Sequence, residues 1–347
     1  MMTPPKLMTV LGARPQFIKA AALSAAIGKD GRIDEKIVHT GQHFDPDLSA
    51  KIFAELSLPE PNHHLNISGG THGEMTGRML EACERVLIAE KPDAVLVYGD
   101  TNSSLAGALA AAKLSLPVFH VEAGLRSFNR SMPEEINRVL IDHLSTLLFC
   151  PTAHSVANLK NEGVVEGVHH SGDVMLDGFI SSGWQSSGTT NPQGGSYVLL
   201  TLHRAENTED RERFNELLDY VVQQAEGKTI IFPIHPRSRS LFSKYVGNSA
   251  RVECIEPVSY GEMQNLIANA GAVFTDSGGL QKEAYFHRTP CVTLRSETEW
   301  VETIEAGWNR LWQVPDYAER SEIEDYGDGR ASENIVDVMA QWFATNQ

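Results

Sequence analysis

Two stretches constrain this chain more than any others: Val95-Leu96-Val97-Tyr98, which runs into Gly99-Asp100, and Val118-Phe119-His120-Val121, which runs into Glu122. Each is an apolar run of strand length that stops abruptly at a polar turn. Such runs, separated by a helical pattern, read as buried parallel strands of an α/β protein. In an open parallel sheet, ligands bind outside the carboxyl ends of the strands. Asp100 and Glu122 are therefore expected side by side at the edge where chemistry takes place.

The chain has 347 residues, a length that suggests two domains rather than one enlarged core. Its net charge of −16 argues against a surface for nucleic acid or anionic membrane. A small anion remains acceptable, because a local pocket of Arg, Lys and His can oppose the global sign. Cys83, Cys150, Cys254 and Cys291 are scattered and form no CxxC, so they read as buried thiols in a reducing compartment. The first residues lack the apolar core of a signal peptide, and no run approaches the roughly 18 apolar residues of a membrane span. The expectation is a cytoplasmic protein.

In chain order, a strand over residues 7–11 breaks at Gly12, and Pro15 suits the first turn of a helix reaching about Gly28. Arg14 and Lys19 then lie near a helix N-terminus, where anions bind; a solvated Arg14 and a decorative Lys19 are the plainer account. A strand over 36–40 runs into Gly41-Gln42-His43-Phe44-Asp45, and a glycine-rich loop at 69–73 precedes a helix over about 74–90. Asp100-Thr101-Asn102-Ser103 also reads as a helix cap, since all four residue types cap well. Glu122 resists that account: a strand-end carboxylate is costly to bury unpaired and should face a cleft or a cation. In Pro133-Glu134-Glu135-Ile136-Asn137-Arg138, the residues Glu134, Asn137 and Arg138 share one helix face. A solvated Glu/Arg pair explains them equally.

The boundary is expected between about 171 and 196, with 186–196 the most linker-like composition in the chain. This assigns 1–172 to a first domain carrying the carboxylates and 173–330 to a second. A final helix within 331–347 would pack back on the first domain. The second half restarts the strand–helix alternation with strands over 197–202, 229–234, 252–255, 272–275 and 291–294. Their carboxyl ends carry His203-Arg204, His235-Pro236-Arg237, Glu256, Asp276-Ser277-Gly278-Gly279 and Arg295. Two such domains would face each other across a cleft. Histidines at one edge, His203 and His235, favour function over structure. Ser277, Gly278 and Gly279 form a tight turn into a helix whose free N–H groups suit a phosphate, and Glu283 suits ribose hydroxyls. The turn is neither GxGxxG nor a Walker loop, which weakens NAD and ATP readings; Gly-Gly as punctuation is the alternative.

Taken together, Gly12-Ala13-Arg14-Pro15-Gln16, Thr40-Gly41-Gln42-His43, Gly99-Asp100-Thr101, Val121-Glu122-Ala123-Gly124-Leu125-Arg126, Pro133-Glu134-Glu135-Ile136-Asn137-Arg138, His203-Arg204 and Asp276-Ser277-Gly278-Gly279-Leu280-Gln281 resemble the non-hydrolysing UDP-N-acetylglucosamine 2-epimerases. The resemblance runs over nearly the whole chain. It implies a glycosyltransferase-B-like pair of Rossmann-type domains with the active site between them, a homodimer, and no nicotinamide or metal. It implies interconversion of UDP-GlcNAc and UDP-ManNAc: UDP leaves across C1–C2 and adds back, with the C2 proton returned to the other face. Matched residue by residue, Asp100, Glu122 and Glu134 fall on the family's acid/base carboxylates, and His203 falls on a histidine implicated in catalysis. Arg14, Lys19 and Arg138, with Asn137 beside them, fall near the substrate, while His235, Arg237, Ser277, Gly278, Gly279 and Glu283 fall at the UDP site.

This chain departs from the enteric type in a shorter loop between Glu122 and Pro133, and in Glu299-Trp300-Val301-Glu302 where that type has Glu-Arg-Pro-Glu. Ser127-Phe128-Asn129 and Glu297-Thr298-Glu299-Trp300 look closer to a subgroup acting on UDP-2,3-diacetamido-2,3-dideoxy-glucuronic acid. The carboxylate of that sugar would need a cation such as Arg126, Arg130 or Arg295. Competing readings are a UDP-sugar glycosyltransferase, a hydrolysing epimerase and a non-catalytic nucleotide-sugar sensor.

Overall fold

A computed structural model describes residues 3–42, 53–184, 195–245, 247 and 250–346; His43, Phe44, Asp45 and the linker-like residues 186–194 lie outside them. Two compact units emerge: Met1–Ser182 with Glu324–Gln347, and Gly183–Ile323.

In the first unit the strands are β1 (Lys6–Leu11), β2 (Asp34–His39), β3 (His63–His64), β4 (Ala94–Tyr98), β5 (Val118–Val121), β6 (Leu147–Cys150) and β7 (Val168–His170). They form a parallel seven-stranded sheet in the order β3-β2-β1-β4-β5-β6-β7. The helices are α1 (Arg14–Asp30), α2 (His72–Glu90), α3 (Asn102–Lys113), α4 (Pro133–Leu144), α5 (Ala153–Asn161), α6 (Val174–Ser181) and the final helix, Ala331–Asn346. β4 shows why its sequence reads as a continuous apolar run: all five residues are buried because helices cover both faces. Leu96 and Tyr98 join Phe17 and Leu23 of α1 and Ile335 and Met339 of the final helix. Val95 and Val97 point the other way, to Cys83 and Leu87 of α2 and Ala108 and Ala111 of α3. The small side chains of α3 let it lie close on β1; a Cβ on Gly107 would stand 3.0 Å from Val10.

The second unit repeats the plan with β8 (Tyr197–Thr201), β9 (Thr229–Pro233), β10 (Val252–Ile255), β11 (Val273–Thr275), β12 (Cys291–Thr293) and β13 (Asn309–Leu311). Their order is β10-β9-β8-β11-β12-β13. Its helices are α7 (Ala205–Thr208), α8 (Arg211–Gln224), α9 (Pro236–Phe242), α10 (Tyr260–Asn269), α11 (Gly278–Phe286) and α12 (Val301–Glu305). The inner face of this sheet buries Leu200, Phe214, Leu218, Phe232 and Phe274.

In each sheet the strand order reverses beside the first strand, between β1 and β4 and between β8 and β11. Such switch points open a crevice at the strand carboxyl ends, the usual ligand position in doubly wound sheets. Gly99-Asp100 follows β4, and Asp276-Ser277-Gly278 follows β11.

Some expectations are corrected. α1 runs through Gly28 to Asp30 and stops at Gly31, which takes the left-handed conformation (φ 77°) and donates its N–H to the Ile27 carbonyl. β3 and β13 carry no apolar run: His63-His64 and Asn309-Arg310 are polar, and Asn309 is buried only because Gln281 and Thr303 satisfy its amide. Cys254 is exposed, because β10 is an edge strand; the other three thiols are buried. Among the described residues no helix is long and apolar enough to cross a membrane.

Candidate functional site

At the first unit's switch point, Gln16 ties the turn after β1 to β4. Its side-chain oxygen accepts the N–H groups of Gly12 (2.8 Å) and Ala13 (3.0 Å), and its amide donates to the Tyr98 carbonyl and Ser104 Oγ. Gly12 permits this closeness, since a Cβ there would lie 2.0 Å from Thr40 Oγ1. One turn along α1, the buried Lys19 aims its ammonium at Glu122 and forms an ion pair with it. That pair supplies the cation a strand-end carboxylate needs. Glu122 itself has φ 70°, a left-handed conformation that costs a long side chain of the order of 1 kcal/mol or more. Its N–H and that of Ala123 both donate to the Phe149 carbonyl at 3.0 Å and hold the turn.

Asp100 does not cap α3. Thr101 does, accepting from the Ser104 N–H. The Asp100 carboxylate instead meets the Arg138 guanidinium at 2.6 Å, and the same guanidinium reaches Glu135 at 2.8 Å. Asn137 donates to the Asp100 carbonyl (2.8 Å) and to Asn102 (3.2 Å). Of the two adjacent glutamates, Glu135 turns inward, accepting the Ser127 and Phe128 N–H groups, while Glu134 is half-buried. Burial would raise the Glu135 carboxyl, but those N–H groups and Arg138 outweigh it and hold it below the usual range. A Cβ on Gly99 would stand 3.1 Å from Glu122 and 3.3 Å from the Lys19 ammonium, so the Asp100 turn abuts the Lys19–Glu122 pair. One locus thus gathers Asp100, Glu122, Lys19, Asn137 and Arg138, and Arg14 opens α1 half-buried beside Ala13.

Behind this locus lies a layer the sequence did not reveal. His120, fully buried on β5, bridges Asp142 (2.7 Å) and the Gly99 carbonyl (2.9 Å). Arg126 donates to Asp142 (2.7 Å) and grips Glu162 through two nitrogens. Arg126 is therefore committed inside the fold and is not a cation in reserve for a substrate carboxylate. Arg295 is also buried and paired with Glu299 (3.0 Å), while Arg130 is exposed. His120 and Asp142 lie 22 residues apart on different elements, and only the register of β5 against α4 brings them together.

In the second unit, His203 follows β8 and Asp276 follows β11, its neighbour. His203 Nδ1 lies 3.1 Å from the Asp276 carboxylate. Asp276 also accepts the N–H groups of His203 (2.9 Å) and Arg204 (2.8 Å) and the Asn207 amide (3.2 Å). Burial would raise its carboxyl, yet the His203 charge and these donors bring it down to about 2. The Asp276 carboxylate fixes the loop and the histidine ring together, leaving the half-buried imidazole available. The His235 ring stands 5.7 Å from that of His203, centre to centre, and its Nδ1 accepts the Arg237 N–H at the start of α9; His235 and Arg237 are exposed.

Ser277 precedes α11 with no side-chain hydrogen bond capping the helix. Gly278 is buried and Gly279 half-buried at its first turn, with Glu283 inside the second. A Cβ on Gly278 would stand 2.6 Å from Glu299, which is itself held by Arg295. The floor of the turn is thus rigid, and its open side presents backbone N–H groups at a helix N-terminus, a geometry suited to an anion. Among the described residues no three His, Cys, Asp or Glu side chains cluster as metal ligands would.

Comparison with known proteins agrees in sequence and in fold. A family model described as UDP-N-acetylglucosamine 2-epimerase matches residues 25–340. A UDP-2,3-diacetamido-2,3-dideoxy-D-glucuronate 2-epimerase of Pseudomonas aeruginosa is 47% identical over 97% of this chain and 99% of its own length. A UDP-N-acetylglucosamine 2-epimerase homolog of Methanococcus maripaludis is 46% identical over 96% of this chain and 99% of its own. Among solved structures, the Methanocaldococcus jannaschii UDP-GlcNAc 2-epimerase, in complex with UDP-GlcNAc and UDP, superposes with a TM-score of 0.88. It shares 42% identity over 97% of this chain and 99% of that one.

Proposed function

Since the chain belongs to the UDP-N-acetylglucosamine 2-epimerase family, we propose that it inverts C2 of a UDP-N-acetylhexosamine, interconverting UDP-GlcNAc and UDP-ManNAc without hydrolysis. The observation that carries the reading is the pairing of Asp100 and Glu122 with Arg138 and Lys19 at one switch point.

The C2 hydrogen is not next to a carbonyl and is weakly acidic, so loss of the C1–oxygen bond must accompany its removal. In the forward half-reaction a carboxylate takes the C2 proton, the C1–C2 double bond forms, and UDP departs with the electrons of the C1–O bond. In the return half, the diphosphate oxygen adds back to C1 and a proton reaches C2 from the opposite face. One rigid carboxylate serves both faces poorly, and Asp100 and Glu122, with Glu134, answer that need. Each positioned acid or base is worth about 10²- to 10⁴-fold. Arg138 and Lys19 orient these groups, with Asn137 and Arg14 on the sugar side. In the second unit, His203 and the Ser277-Gly278-Gly279 turn take up charge on the leaving diphosphate. His235, Arg237 and Glu283 hold the rest of the nucleotide, and no cofactor or metal enters. We assign the active form as a cytoplasmic homodimer.

A second reading, the same reaction on UDP-2,3-diacetamido-2,3-dideoxy-glucuronic acid, is favoured by the 47% identity with the Pseudomonas enzyme. The test is phosphorus and proton NMR of the purified chain with each sugar nucleotide separately. Conversion of UDP-GlcNAc to UDP-ManNAc is expected. Conversion of the acidic sugar alone assigns the second reading. Free UDP released with free sugar makes the chain a hydrolase, and turnover only with an added acceptor makes it a glycosyltransferase.

A further inference from the structure

The His120 ring is held between two oxygens. Its Nδ1 faces Asp142 Oδ1 at 2.7 Å and its Nε2 faces the Gly99 carbonyl at 2.9 Å. A carbonyl oxygen can only accept. Burial opposes a charge on Asp142, but the Arg126 guanidinium set against it favours the ionised carboxylate. Its other oxygen is occupied by the Gly124 N–H (3.1 Å) and by Arg126 (2.7 Å). A neutral imidazole has one N–H and one lone pair, and here the lone pair would face an oxygen. Both ring nitrogens must therefore donate.

The surrounding charges allow this. Asp142 on α4 meets the ring, Arg126 meets Asp142, and Glu162 after α5 pairs with Arg126 through two 2.7 Å contacts. On the β4 side Lys19 and Glu122 flank Gly99. On β6 the Cys150 thiol feels the Asp142 and Arg126 charges, and burial keeps it protonated.

The chain points this pair touches are those on which the preceding reading depends. Gly99 immediately precedes Asp100, and Gly124 lies two residues past Glu122. Glu122 (φ 70°) holds a left-handed conformation that, in a residue other than glycine, persists only where surroundings over-determine it. We propose that His120 is a positioning residue: a ring that bridges Asp142 and the Gly99 carbonyl and, with Asp142, clamps the ends of β4 and β5 and sets the spacing of Asp100 and Glu122. This rests on the acid/base reading of those two carboxylates. A misplacement of about 1 Å at reacting groups costs on the order of 10²-fold in rate, so the clamp acts on the chemical step.

The experiment combines ¹⁵N-histidine NMR of the wild-type protein with the variants His120→Leu and His120→Gln. UDP affinity and the rate of C2 hydrogen exchange are measured for each. The expected spectrum shows both His120 nitrogens engaged as hydrogen-bond donors at neutral pH. His120→Leu should lose about 10²-fold in exchange rate with UDP affinity within about twofold, because the proposed UDP groups belong to the second unit. His120→Gln, which can still donate to Gly99, should recover part of the loss. A bare ring nitrogen at neutral pH, or wild-type exchange in both variants, overturns the proposal. Should His120→Leu not fold, the spectrum and His120→Gln decide. Failure of the acid/base reading is distinguishable: Asp100→Asn and Glu122→Gln would then exchange C2 hydrogen at the wild-type rate, which removes the positioning role whatever the spectrum shows.

Discussion

Glu122 places a long acidic side chain in a conformation more natural to glycine and pairs it with a buried lysine. Glu122→Gln keeps the shape and removes the charge. It should lower epimerisation by about 10²- to 10⁴-fold and cost about 1–3 kcal/mol of stability through the lysine left uncompensated; turnover and urea denaturation check the two effects. Asp276 offers a pH test. Its folded carboxyl, at about 2, lies below the ordinary value of 3.8, so its stabilisation is complete above about pH 5 and fades as pH falls through 4 toward 2. Asp276→Asn should lose about 2 kcal/mol at pH 7 and show a flatter stability profile below pH 4, read by denaturation at several pH values. At this scale the sequence was legible where a charge ends an apolar strand, as at Asp100 and Glu122. It was not legible where helix phase chooses between neighbours. Glu134 and Arg138 sit one turn apart, yet Glu135 makes the inward contact. Nor does spacing reveal His120 with Asp142, a partnership made entirely by packing.

At the scale of elements, α11 depends on a glycine floor. Replacing Gly278 with Ala would drive a Cβ to 2.6 Å from Glu299, which cannot swing away while Arg295 holds it. Gly278→Ala should weaken UDP binding at least about tenfold, or 1.4 kcal/mol, by calorimetry, and cost about 1–3 kcal/mol of stability through the overpacked contact. Strands such as β4 and β8 could be read because burial on both faces demands unbroken apolar sequence. β13 could not, since its buried Asn309 is paid for by hydrogen bonds that no local pattern announces. The stop of α1 was misplaced for a related reason. Glycine ends a helix only where the chain needs a left-handed turn, and that need arises at Gly31 rather than Gly28.

Across the whole molecule, a buried histidine in each unit has its pKa pushed down to about 4 by burial: His39, stacked on Phe17 and edge-on to Phe53, and His287 against Gln264. Unfolding frees each ring to take a proton near 6.5, so the unfolded chain binds more protons between about pH 6.5 and 4. Stability should therefore fall as pH drops through that window, before the carboxylates contribute. A thermal scan of wild type against His39→Phe and His287→Gln should show a shallower decline in each variant. The charge of −16 coexists with an anionic substrate because basic groups are local, Lys19 and Arg138 in the first unit and the helix N-terminus after Ser277 in the second. The measurement that bears most directly on the proposed chemistry is incubation with UDP-GlcNAc in D₂O, followed by NMR of the recovered sugar nucleotides. The account expects deuterium at C2 of both epimers with UDP still attached. Epimers that keep protium at C2 would contradict it.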